Sequence, residues 1–500
     1  MLYARLEDED VAPSKDEMHF LIDTATPSER DSMNCHRTIT LAFLVILCSC
    51  VSAKADAIDN YIQARMRGLH IPGLSLAVVR NGQIIKRRGY GFADLQLNVP
   101  ATEKTVYELG SVTKQFTATA VMMLVEEGKV CLDDPIMKYF AGVPPAWQDI
   151  TVRHLLNHTS GIQNHVAVPG YLGVFRTNLM LETTPARDEL LKMFFKLPLE
   201  FEPGATWAYD NTGYYLLGII IEKASGKSYW QFIDERIFHP LDMNLTHNTD
   251  PQRLVPHRAS GYEWVKGHYE NRPMLLPFIA FSAGSLLSTV EDLAKWDAAL
   301  YTEKLLKGST IEQMWTSTKT RDGATAPFNY GFGWFIDSYH GHRVVQHSGG
   351  TPGFSSTIYR FVDDQLTVII LTNHADMIID QLAIDIAGFY VPALKRPTGR
   401  PDPDPPLSNR LRQVVAALFA GRYDSATFTP GLRIFLATAT GRAWWQWVVA
   451  RGPLRSIIFS DTETNGTERF LRYQVVLGEE RFWLSFAIDA DGRIAQIYWF

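Results

Sequence analysis

The sequence contains little cysteine, with four residues in a chain of 500. Three of them, Cys35, Cys48 and Cys50, lie close together near the N-terminus, so Cys131 stands alone in the rest of the chain. Disulfide frameworks and cysteine-based metal sites need several cysteines at short, regular spacings. The sequence therefore predicts neither of these features.

The sequence also lacks a surplus of positive charge. It has 48 Lys and Arg against 54 Asp and Glu, a formal net charge of −6, and it contains no long basic run. Because proteins that bind nucleic acid carry a basic patch or stripe, we predict no nucleic-acid partner. The composition is otherwise that of an ordinary globular protein, with 46% hydrophobic residues. At ~150 residues per domain, the length predicts two or three domains.

A long hydrophobic run is missing as well. The apolar stretch near the N-terminus, residues 39–51, is shorter than the about 20 residues that a transmembrane helix needs. It follows Met33-Asn-Cys-His-Arg37 and precedes Ala53-Lys-Ala55. A basic start, a short apolar core and a small-residue cleavage site are together typical of a secretory signal peptide.

Three N-terminal arrangements are compatible with this pattern. In the one we favour, synthesis starts at Met33, residues 33–55 are a signal peptide, and the acidic extension at residues 1–32 is not translated. That arrangement predicts an extracytoplasmic protein, either periplasmic or secreted. The alternatives are a membrane anchor with Met1 as the true start, and a lipid anchor on Cys50, which lies in an imperfect lipoprotein box.

A Ser-x-x-Lys motif opens the central part of the chain. Ser111 and Lys114 begin an apolar stretch that Gly128 closes, which predicts one buried helix starting at the serine. Residues three apart lie on one face of a helix. A serine hydroxyl becomes a good nucleophile when a base takes its proton, and a lysine with a lowered pKa can be that base. Alone the motif is weak evidence, because serine at a helix start is usually a cap.

Two later motifs also carry polar groups at element ends. Tyr209-Asp-Asn211 precedes an apolar helical run, and its simplest explanation is a helix cap by Asn211. His347-Ser-Gly-Gly350 ends a predicted strand, where small residues let a substrate lie against the backbone. His154 and His158 are four apart, but no H-E-x-x-H frame surrounds them, so a helix end explains them better than a metal site.

The elements predicted around these motifs mix helices and strands. Apolar spacing from residue 56 to 66 predicts an amphipathic helix, and Asn81-Gly82 predicts a type I′ hairpin between strands at 74–79 and 83–88. Residues 129–290 predict mainly helices and loops. Further strands are predicted at residues 331–336, 343–346, 355–361 and 366–371, and a closing helix at residues 378–389.

The order Ser-x-x-Lys, Tyr-x-Asn, His-x-Gly resembles that of the serine β-lactamase/penicillin-binding protein superfamily. The most similar branch contains the class C β-lactamases, the serine DD-carboxypeptidases and the esterases related to them. The resemblance runs from about Ile58 to Phe389 and includes further stretches, namely Leu155-Leu-Asn-His-Thr-Ser-Gly161, Phe201-Glu-Pro-Gly204, Pro240-Leu-Asp-Met243 and Ser282-Ala-Gly-Ser-Leu-Leu-Ser-Thr289.

This resemblance implies the fold of a catalytic domain at residues 56–395. The expected architecture is an α/β (α+β) β-lactamase/transpeptidase-like fold. Its antiparallel sheet is built from both ends of the domain and flanked by helices, and a mostly helical region is inserted between the two parts of the sheet. The site is expected in the cleft between them.

The resemblance also implies the catalytic residues. Ser111 would be the acylated nucleophile, and Lys114 and Tyr209 would share its proton; which of the two is the base stays open. The oxyanion hole would use the backbone N–H groups of Ser111 and Gly350, and removing one such donor typically costs roughly 2.7–4 kcal/mol in barrier height.

Binding and orienting residues follow from the same resemblance. Asn211 would orient Lys114 and the substrate amide. His347, with Gly349, occupies the His-x-Gly position, where β-lactamases often have lysine; it would bind a substrate carboxylate or position Tyr209. Two residues depart from the family pattern. Asp210 replaces a serine, which would place a negative charge near the cleft and disfavour anionic substrates, and Asp242 replaces a glycine.

The C-terminal part is predicted to be a separate small module. Residues 396–407 are rich in Pro and Asp and predict a stiff linker. In residues 408–500, one helix capped by Ser408 and five or six strands predict an α+β module, NTF2-like or else lipocalin-like. The predicted strands are 432–436, 444–449, 471–475, 482–488 and 493–499. For Trp444-Trp-Gln-Trp447 we favour packing against the catalytic domain over lining a ligand groove.

These observations predict a secreted serine hydrolase that forms an acyl-enzyme on an ester or amide, of esterase or D-amino-acid peptidase type. The alternatives are a β-lactamase or DD-carboxypeptidase, and a non-catalytic penicillin- or ligand-binding protein of the same fold. The expected partner is a small molecule or peptide, including cell-wall fragments. No cofactor and no metal are predicted, and membrane contact is expected only through the signal peptide or a lipid anchor.

Overall fold

The computed structural model describes most of the chain from residue 57 onward. The described ranges are 57–167, 187–274, 277–375, 379–396, 401–422, 424–465, 468–478 and 480–499. The predicted extension, signal peptide and Cys50 anchor lie outside these ranges. The chain divides into two units, Met1–Ile62 and Gln63–Phe500, and the sheets and the site described below belong to the second unit. Among the described residues, no helix is both long and apolar enough to span a membrane.

A seven-stranded antiparallel sheet forms the centre of the catalytic domain, with strand order β3-β2-β1-β12-β11-β10-β9. Two smaller sheets, β4-β8-β5 and β6-β7, lie in the inserted region. The strands are β1 (Gly73–Arg80), β2 (Gln83–Asp94), β3 (Val99–Pro100), β4 (Tyr107–Glu108), β5 (His247–Asn248), β6 (Gly261–Val265), β7 (His268–Arg272), β8 (Leu286–Ser288), β9 (Phe335–Tyr339), β10 (His342–Thr351), β11 (Phe354–Phe361) and β12 (Leu366–Thr372).

The helices of this domain come before, between and after these strands along the chain. They are α1 (57–68), α2 (Thr113–Glu126), α3 (Val152–Leu156), α4 (Arg187–Phe194), α5 (Asn211–Ser225), α6 (Tyr229–Ile233), α7 (Pro277–Ala280), α8 (Val290–Ala299), α9 (Gly308–Met314) and α10 (Ile379–Tyr390). Short 3-10 turns occur at Gly110–Val112, Ile136–Lys138, Pro145–Trp147, His165–Ala167, His239–Leu241, Phe281–Ala283 and Pro392–Leu394, and a π-helical turn at Asp234–Phe238.

The pairing of β1 with β12 joins the two ends of the domain. Leu74 lies opposite Thr372 in this antiparallel pair, and β2 flanks β1 on the other side. The β1–β2 hairpin turns at Asn81 and Gly82, with φ of 52° and 70°, as the predicted type I′ turn requires. Helices α8 and α10 pack against the sheet, so the predicted sheet built from both chain ends is confirmed.

Two elements of the catalytic domain start two or more residues later than predicted. The α-helix expected to start at Ser111 begins at Thr113, because residues 110–112 form a tighter 3-10 turn that carries the serine. The strand predicted at residues 331–336 begins only at Phe335, because Gly333 has a φ of 80° and turns the chain against α2.

The C-terminal module contains three helices and one four-stranded sheet. Its elements are α11 (Pro405–Phe419), α12 (Pro430–Ala437), α13 (Ala439–Ala450), β13 (Leu454–Asn465), β14 (Glu468–Leu477), β15 (Glu480–Ile488) and β16 (Ile494–Trp499), with a 3-10 turn at Ser425–Thr427. The antiparallel strand order is β13-β14-β15-β16, an open sheet within the described residues. The predicted α+β class is confirmed, whereas a closed lipocalin-like barrel is not formed.

Two strands predicted in this module are wrong, since residues 432–436 and 444–449 are helical. Thr429 and Thr438 cap α12 and α13 by accepting hydrogen bonds from backbone N–H groups of the first turn, and Pro430 opens α12. These caps favour helices more strongly than the alternation of apolar residues favours strands. Asp404, not Ser408, caps α11, so the helix starts within the predicted linker, and Ser408 instead hydrogen-bonds the Tyr473 hydroxyl at 2.7 Å.

The module packs directly on the catalytic domain, next to the loop that precedes α5. The Thr440 hydroxyl at the start of α13 donates to the Tyr209 carbonyl at 3.1 Å. In the other direction, the Thr206 hydroxyl donates to the Gly431 carbonyl of α12 at 2.9 Å. These contacts place α12 and α13 beside the predicted catalytic residues.

Candidate active site

Ser111, in the 3-10 turn that precedes α2, and Lys114, in the first turn of α2, lie side by side, as their spacing predicts. The Lys114 Nζ atom is 3.2 Å from the Ser111 Oγ atom. It is 2.7 Å from Asn211 Oδ1 and 2.7 Å from the Ala283 carbonyl oxygen. A neutral amine has two N–H donors and one lone pair. A neutral Lys114 could give these two donors to the short contacts, which are to acceptors, and use its lone pair toward the serine hydroxyl.

The environment of Lys114 favours this neutral form. Its side chain is fully buried, and the burial lowers its pKa well below the ordinary value for lysine. The negative charge of Asp210 acts in the opposite direction but is the smaller effect. The Nζ atom also lies over the ring of Tyr209, 4.7 Å from its centroid, rather than donating to the phenol oxygen.

Tyr209 lies across the site from Lys114, on the loop before α5. Burial raises the pKa of its phenol above the ordinary value; the nearby Ser111 hydroxyl opposes that shift, and the charge of Asp210 adds to it. The His158 ring packs against the Tyr209 ring with centroids 4.5 Å apart. Tyr209 is therefore a protonated phenol at neutral pH, placed within reach of the nucleophile.

Asn211 connects Lys114 to a second amide. While its Oδ1 atom accepts from Lys114, its Nδ2 atom donates to Asn164 Oδ1 at 3.3 Å. Asn211 is the first residue of α5, so the helix start fixes its position. The structure thus places Ser111, Lys114, Tyr209 and Asn211 together, as the sequence predicts.

Asp210 has a different position from the expected one. It is 2% exposed, and its carboxylate caps α5 by accepting from the backbone N–H groups of Thr212 and Gly213 at 2.7 and 3.0 Å. The cap predicted for Asn211 is therefore made by Asp210, and the carboxylate does not line the cleft. Asp242, the other departure, takes a left-handed φ of 55°, the conformation that glycine adopts most readily.

His347 is buried and has partners on both ring nitrogens. Nδ1 lies 2.6 Å from the Ser348 carbonyl oxygen, so it carries the proton, and Nε2 lies 3.0 Å from the Tyr330 hydroxyl. Burial, together with the nearby Lys114, lowers the pKa of His347 to about 3. At neutral pH His347 therefore supplies no positive charge for a substrate carboxylate.

The end of β10 packs tightly on the turn that carries Ser111. A Cβ atom on Gly349 would lie 2.7 Å from the Ser111 nitrogen, and one on Gly110, which has a φ of 51°, would lie 2.7 Å from the Gly350 nitrogen. Side chains are excluded at both positions, which lets the two backbone segments meet. The amides of Ser111 and Gly350 are thereby brought together, and their role as an oxyanion hole stays a prediction.

A cavity of about 420 Å³ opens at Ser111. Its walls come from the loop before α5, from the end of β10 and from the C-terminal module. The lining residues are Ser111, Trp207, Tyr209, Phe328, Phe335, His347, Ser348, Gly349, Gly350, Asp380, Phe435, Thr440, Trp444, Trp447, Phe482 and Tyr498. Both of our expectations for the tryptophan cluster therefore apply, since it packs on the catalytic domain and also lines a groove.

The described residues contain no group of three or more His, Cys, Asp or Glu side chains that could hold a metal ion. His154 and His158, which are four residues apart, each accept a hydrogen bond from a different backbone N–H group. His154 Nδ1 accepts from the Thr151 backbone N–H at 3.2 Å in a capping box, and His158 Nδ1 accepts from the Asp210 N–H at 3.1 Å.

Sequence reasoning missed several residues of this site. Asn164 and Tyr330 stand in no recognisable motif, and Ala283 takes part through its carbonyl, which any residue provides. Ala283 does lie in the Ser282–Thr289 stretch that carries the resemblance, so that stretch was the available signal. The aromatic wall comes from distant parts of the chain, and no local pattern indicates it.

Comparisons with known proteins agree with the fold described above. A sequence model described as Beta-lactamase matches residues 58–385. Penicillin-binding protein 4* of Bacillus subtilis is 30% identical over 441 residues, which cover 84% of this chain and 93% of the relative.

Two solved structures extend the comparison. The D-amino acid amidase of Ochrobactrum anthropi is 25% identical with a TM-score of 0.59, over 68% of this chain and 98% of the other. The octameric penicillin-binding protein homologue of Pyrococcus abyssi is 24% identical with a TM-score of 0.56. The match covers 87% of this chain and 96% of the homologue's chain, and it shows that the folds are alike.

Proposed function

The chain belongs to the beta-lactamase family of serine hydrolases, and we propose that it cleaves an ester or amide through an acyl-enzyme on Ser111. One observation carries this proposal: the buried Lys114 Nζ lies 3.2 Å from Ser111 Oγ and is held by two further acceptors. Such an amine is a base already in position for the serine proton.

The proposed reaction has two halves. Ser111 Oγ attacks the substrate carbonyl carbon while its proton passes to Lys114, and the amides of Ser111 and Gly350 stabilise the oxyanion. The Tyr209 phenol then gives a proton to the leaving alcohol or amine and is reprotonated from Lys114. In the second half, water attacks the acyl-enzyme, its proton returns by the same groups, and the carboxylic acid product leaves with Ser111 restored.

For the substrate we propose an ester, or the amide or peptide of a D-amino acid. A relative in structure is a D-amino acid amidase, which supports the amide. His347 is neutral at a position where β-lactamases often have a charged lysine, and this argues against substrates that present a carboxylate there. The β-lactamase and DD-carboxypeptidase activities are therefore the second candidates. The similarity to a penicillin-binding protein supports them.

A panel of substrates tests this proposal. The panel contains a short-chain p-nitrophenyl ester, D-phenylalanine amide, a D-Ala-D-Ala peptide and a chromogenic cephalosporin, each assayed with the native enzyme and with Ser111→Ala. We expect turnover of the ester or of D-phenylalanine amide, weak or no cephalosporin hydrolysis, and no turnover by the variant. Efficient cephalosporin turnover would refute the substrate assignment.

A labelling experiment separates an enzyme from a binding protein of the same fold. A fluorophosphonate should form a covalent adduct with the folded protein at Ser111, and Ser111→Ala should form none. If neither a fluorophosphonate nor a fluorescent penicillin labels the native chain, and no member of the panel is hydrolysed, the non-catalytic alternative is correct.

We also propose that the protein is exported, with cleavage after Ala55. The support is the basic, apolar and small-residue pattern of residues 33–55. N-terminal sequencing of the protein from its own cells tests this proposal. A mature chain that begins at Met1 would contradict it, and a lipid-modified Cys50 would favour the anchor.

A further inference from the structure

The C-terminal module forms one wall of the cavity that contains Ser111. Five of its aromatic side chains line that cavity, namely Phe435, Trp444, Trp447, Phe482 and Tyr498. Trp207 and Phe328 of the catalytic domain face them, with the Phe328 and Phe435 ring centroids 4.8 Å apart. Thr440 of the module also holds the Tyr209 backbone. The module is therefore built into the site rather than attached elsewhere on the surface.

The aromatic cavity lies on one side of the nucleophile. Tyr209 and His347 line it, whereas Lys114, Asn211 and Asn164 are not among the described residues that do. The leaving group takes its proton from Tyr209 in the proposed reaction, so it must depart on the side of that phenol. The cavity is consequently placed to receive the leaving group and not the acyl group.

The charges at this cavity do not suit a carboxylate. No lysine or arginine is among the described residues that line it. Its charged group is the buried carboxyl of Asp380, whose pKa burial raises to about 6, so that it is mostly negative at neutral pH. At the rim, the Arg451 guanidinium stacks on the Trp447 ring, 4.4 Å from its centroid, and pairs with Glu480 at 3.2 Å.

We propose that this cavity binds the leaving group, and that the preferred substrate has a large, apolar leaving alcohol or amine without a carboxylate. Burial of apolar surface against the aromatic wall would supply the binding energy. This inference rests on the proposed function, which names the reaction but does not say whether the enzyme recognises the acyl group or the leaving group.

Three acetate esters with leaving phenols of similar acidity test the proposal, because the acyl group is then constant. Relative to phenyl acetate, kcat/KM should be roughly tenfold or more higher for 2-naphthyl acetate, since one added apolar group in a pocket typically changes it by that much. It should be roughly tenfold lower for 3-carboxyphenyl acetate. Equal values for the three esters, or a preference for the carboxylate, would overturn the proposal.

Two exposed residues of α13 provide matched variants. Trp447 is 36% exposed and lines the cavity, whereas Val449 is 39% exposed and is not among the lining residues. Trp447→Ala should remove most of the preference for 2-naphthyl over phenyl acetate, because the naphthyl group loses part of the aromatic wall. Val449→Ala should retain the preference. A preference that survives Trp447→Ala, and also the second variant Trp444→Ala, would contradict the proposal.

The outcomes distinguish this inference from the proposed function. If Ser111 is labelled by a fluorophosphonate and phenyl acetate is hydrolysed without any leaving-group preference, the inference fails and the proposed function stands. If Ser111 is not labelled and no ester is hydrolysed, the proposed function itself fails.

Discussion

Lys114 and Tyr209 are both enclosed by the protein, and burial shifts their pKa values in opposite senses. It lowers the pKa of the lysine, which makes the neutral amine available, and it raises the pKa of the phenol, which makes phenolate a minor species. Of the two bases that the sequence leaves open, the cost of desolvating charge therefore favours Lys114. Tyr209 remains suited to giving a proton.

The first prediction separates these two roles through the leaving group. In Tyr209→Phe the ring stays packed on His158 and only the hydroxyl is lost. Hydrolysis of a p-nitrophenyl ester, whose leaving group needs no proton, should fall by about tenfold or less. Hydrolysis of an amide should fall by the 10²–10⁴-fold typical of a general acid. Equal losses for both substrates, measured as kcat, would show that Tyr209 acts as the base.

The second prediction concerns the pH dependence of kcat/KM. A lysine base works when deprotonated, so activity should rise with pH through its lowered pKa and reach a plateau. The Asp210 charge raises the pKa of Lys114, so Asp210→Asn, which keeps a capping oxygen, should move the acid limb to lower pH. Movement to higher pH, with folding intact by circular dichroism, would contradict Lys114 as the titrating group.

At the scale of elements, helix starts hold the functional groups. Lys114 lies in the first turn of α2, and Asn211 begins α5 just after its cap, Asp210. The Asp210 cap fixes the backbone direction at the start of α5, so the Asn211 side chain next to it is fixed too. Gly226 ends α5 in the left-handed conformation with a φ of 73°, which defines the other end of that helix.

The third prediction tests the cap of α5. Asp210→Ala should lower the free energy of unfolding by about 1 kcal/mol, within the range of roughly 0.5–2 kcal/mol for lost caps, and should also lower kcat because Asn211 loses its support. Ser228 caps α6 through the Gln231 N–H at 3.2 Å and serves as the control. Ser228→Ala should cost similar stability in urea unfolding but leave kcat unchanged; equal kcat in both variants would argue against a positioning role.

At the scale of the whole molecule, a buried charge cluster joins the module to the catalytic domain. Arg472 of β14 binds Asp461 and Glu463, each at 2.7 Å, and donates to the Ser338 carbonyl of β9 at 3.0 Å. Glu463 in turn accepts from the backbone N–H of His340 at 3.0 Å. The cluster fixes the module against the sheet edge and so keeps the aromatic wall over the site.

The fourth prediction is that Arg472→Met destabilises this arrangement. It leaves two carboxylates buried without their partner, which typically costs roughly 3–5 kcal/mol. Arg493→Met, which breaks the more exposed Arg493–Asp489 pair, should cost at most about 1 kcal/mol. Urea unfolding measures both, and similar midpoints for the two variants would show that the Arg472 cluster does not fix the module.

Much of the fold could be predicted from the sequence, with errors where signals compete. The β1–β2 hairpin follows from Asn81-Gly82, whose turn type requires those residues. In the module, apolar alternation suggested strands where Thr429 and Thr438 cap helices, because a short apolar run fits either structure and its ends decide. The strand β13, with its alternation interrupted by two register shifts, was not predicted at all.

The sequence by itself predicted the candidate reacting groups, since the spacing of Ser111 and Lys114 brings them together at a helix start, and Tyr209 and His347 follow in an order typical of one family. Only the tertiary structure shows that burial lowers the pKa of Lys114, that Asp210 is a cap, and that the module lines the cavity. Desolvation and cavity shape depend on side chains brought together from distant parts of the chain, as Trp207 and Trp447 are here. A local sequence pattern cannot predict such long-range contacts.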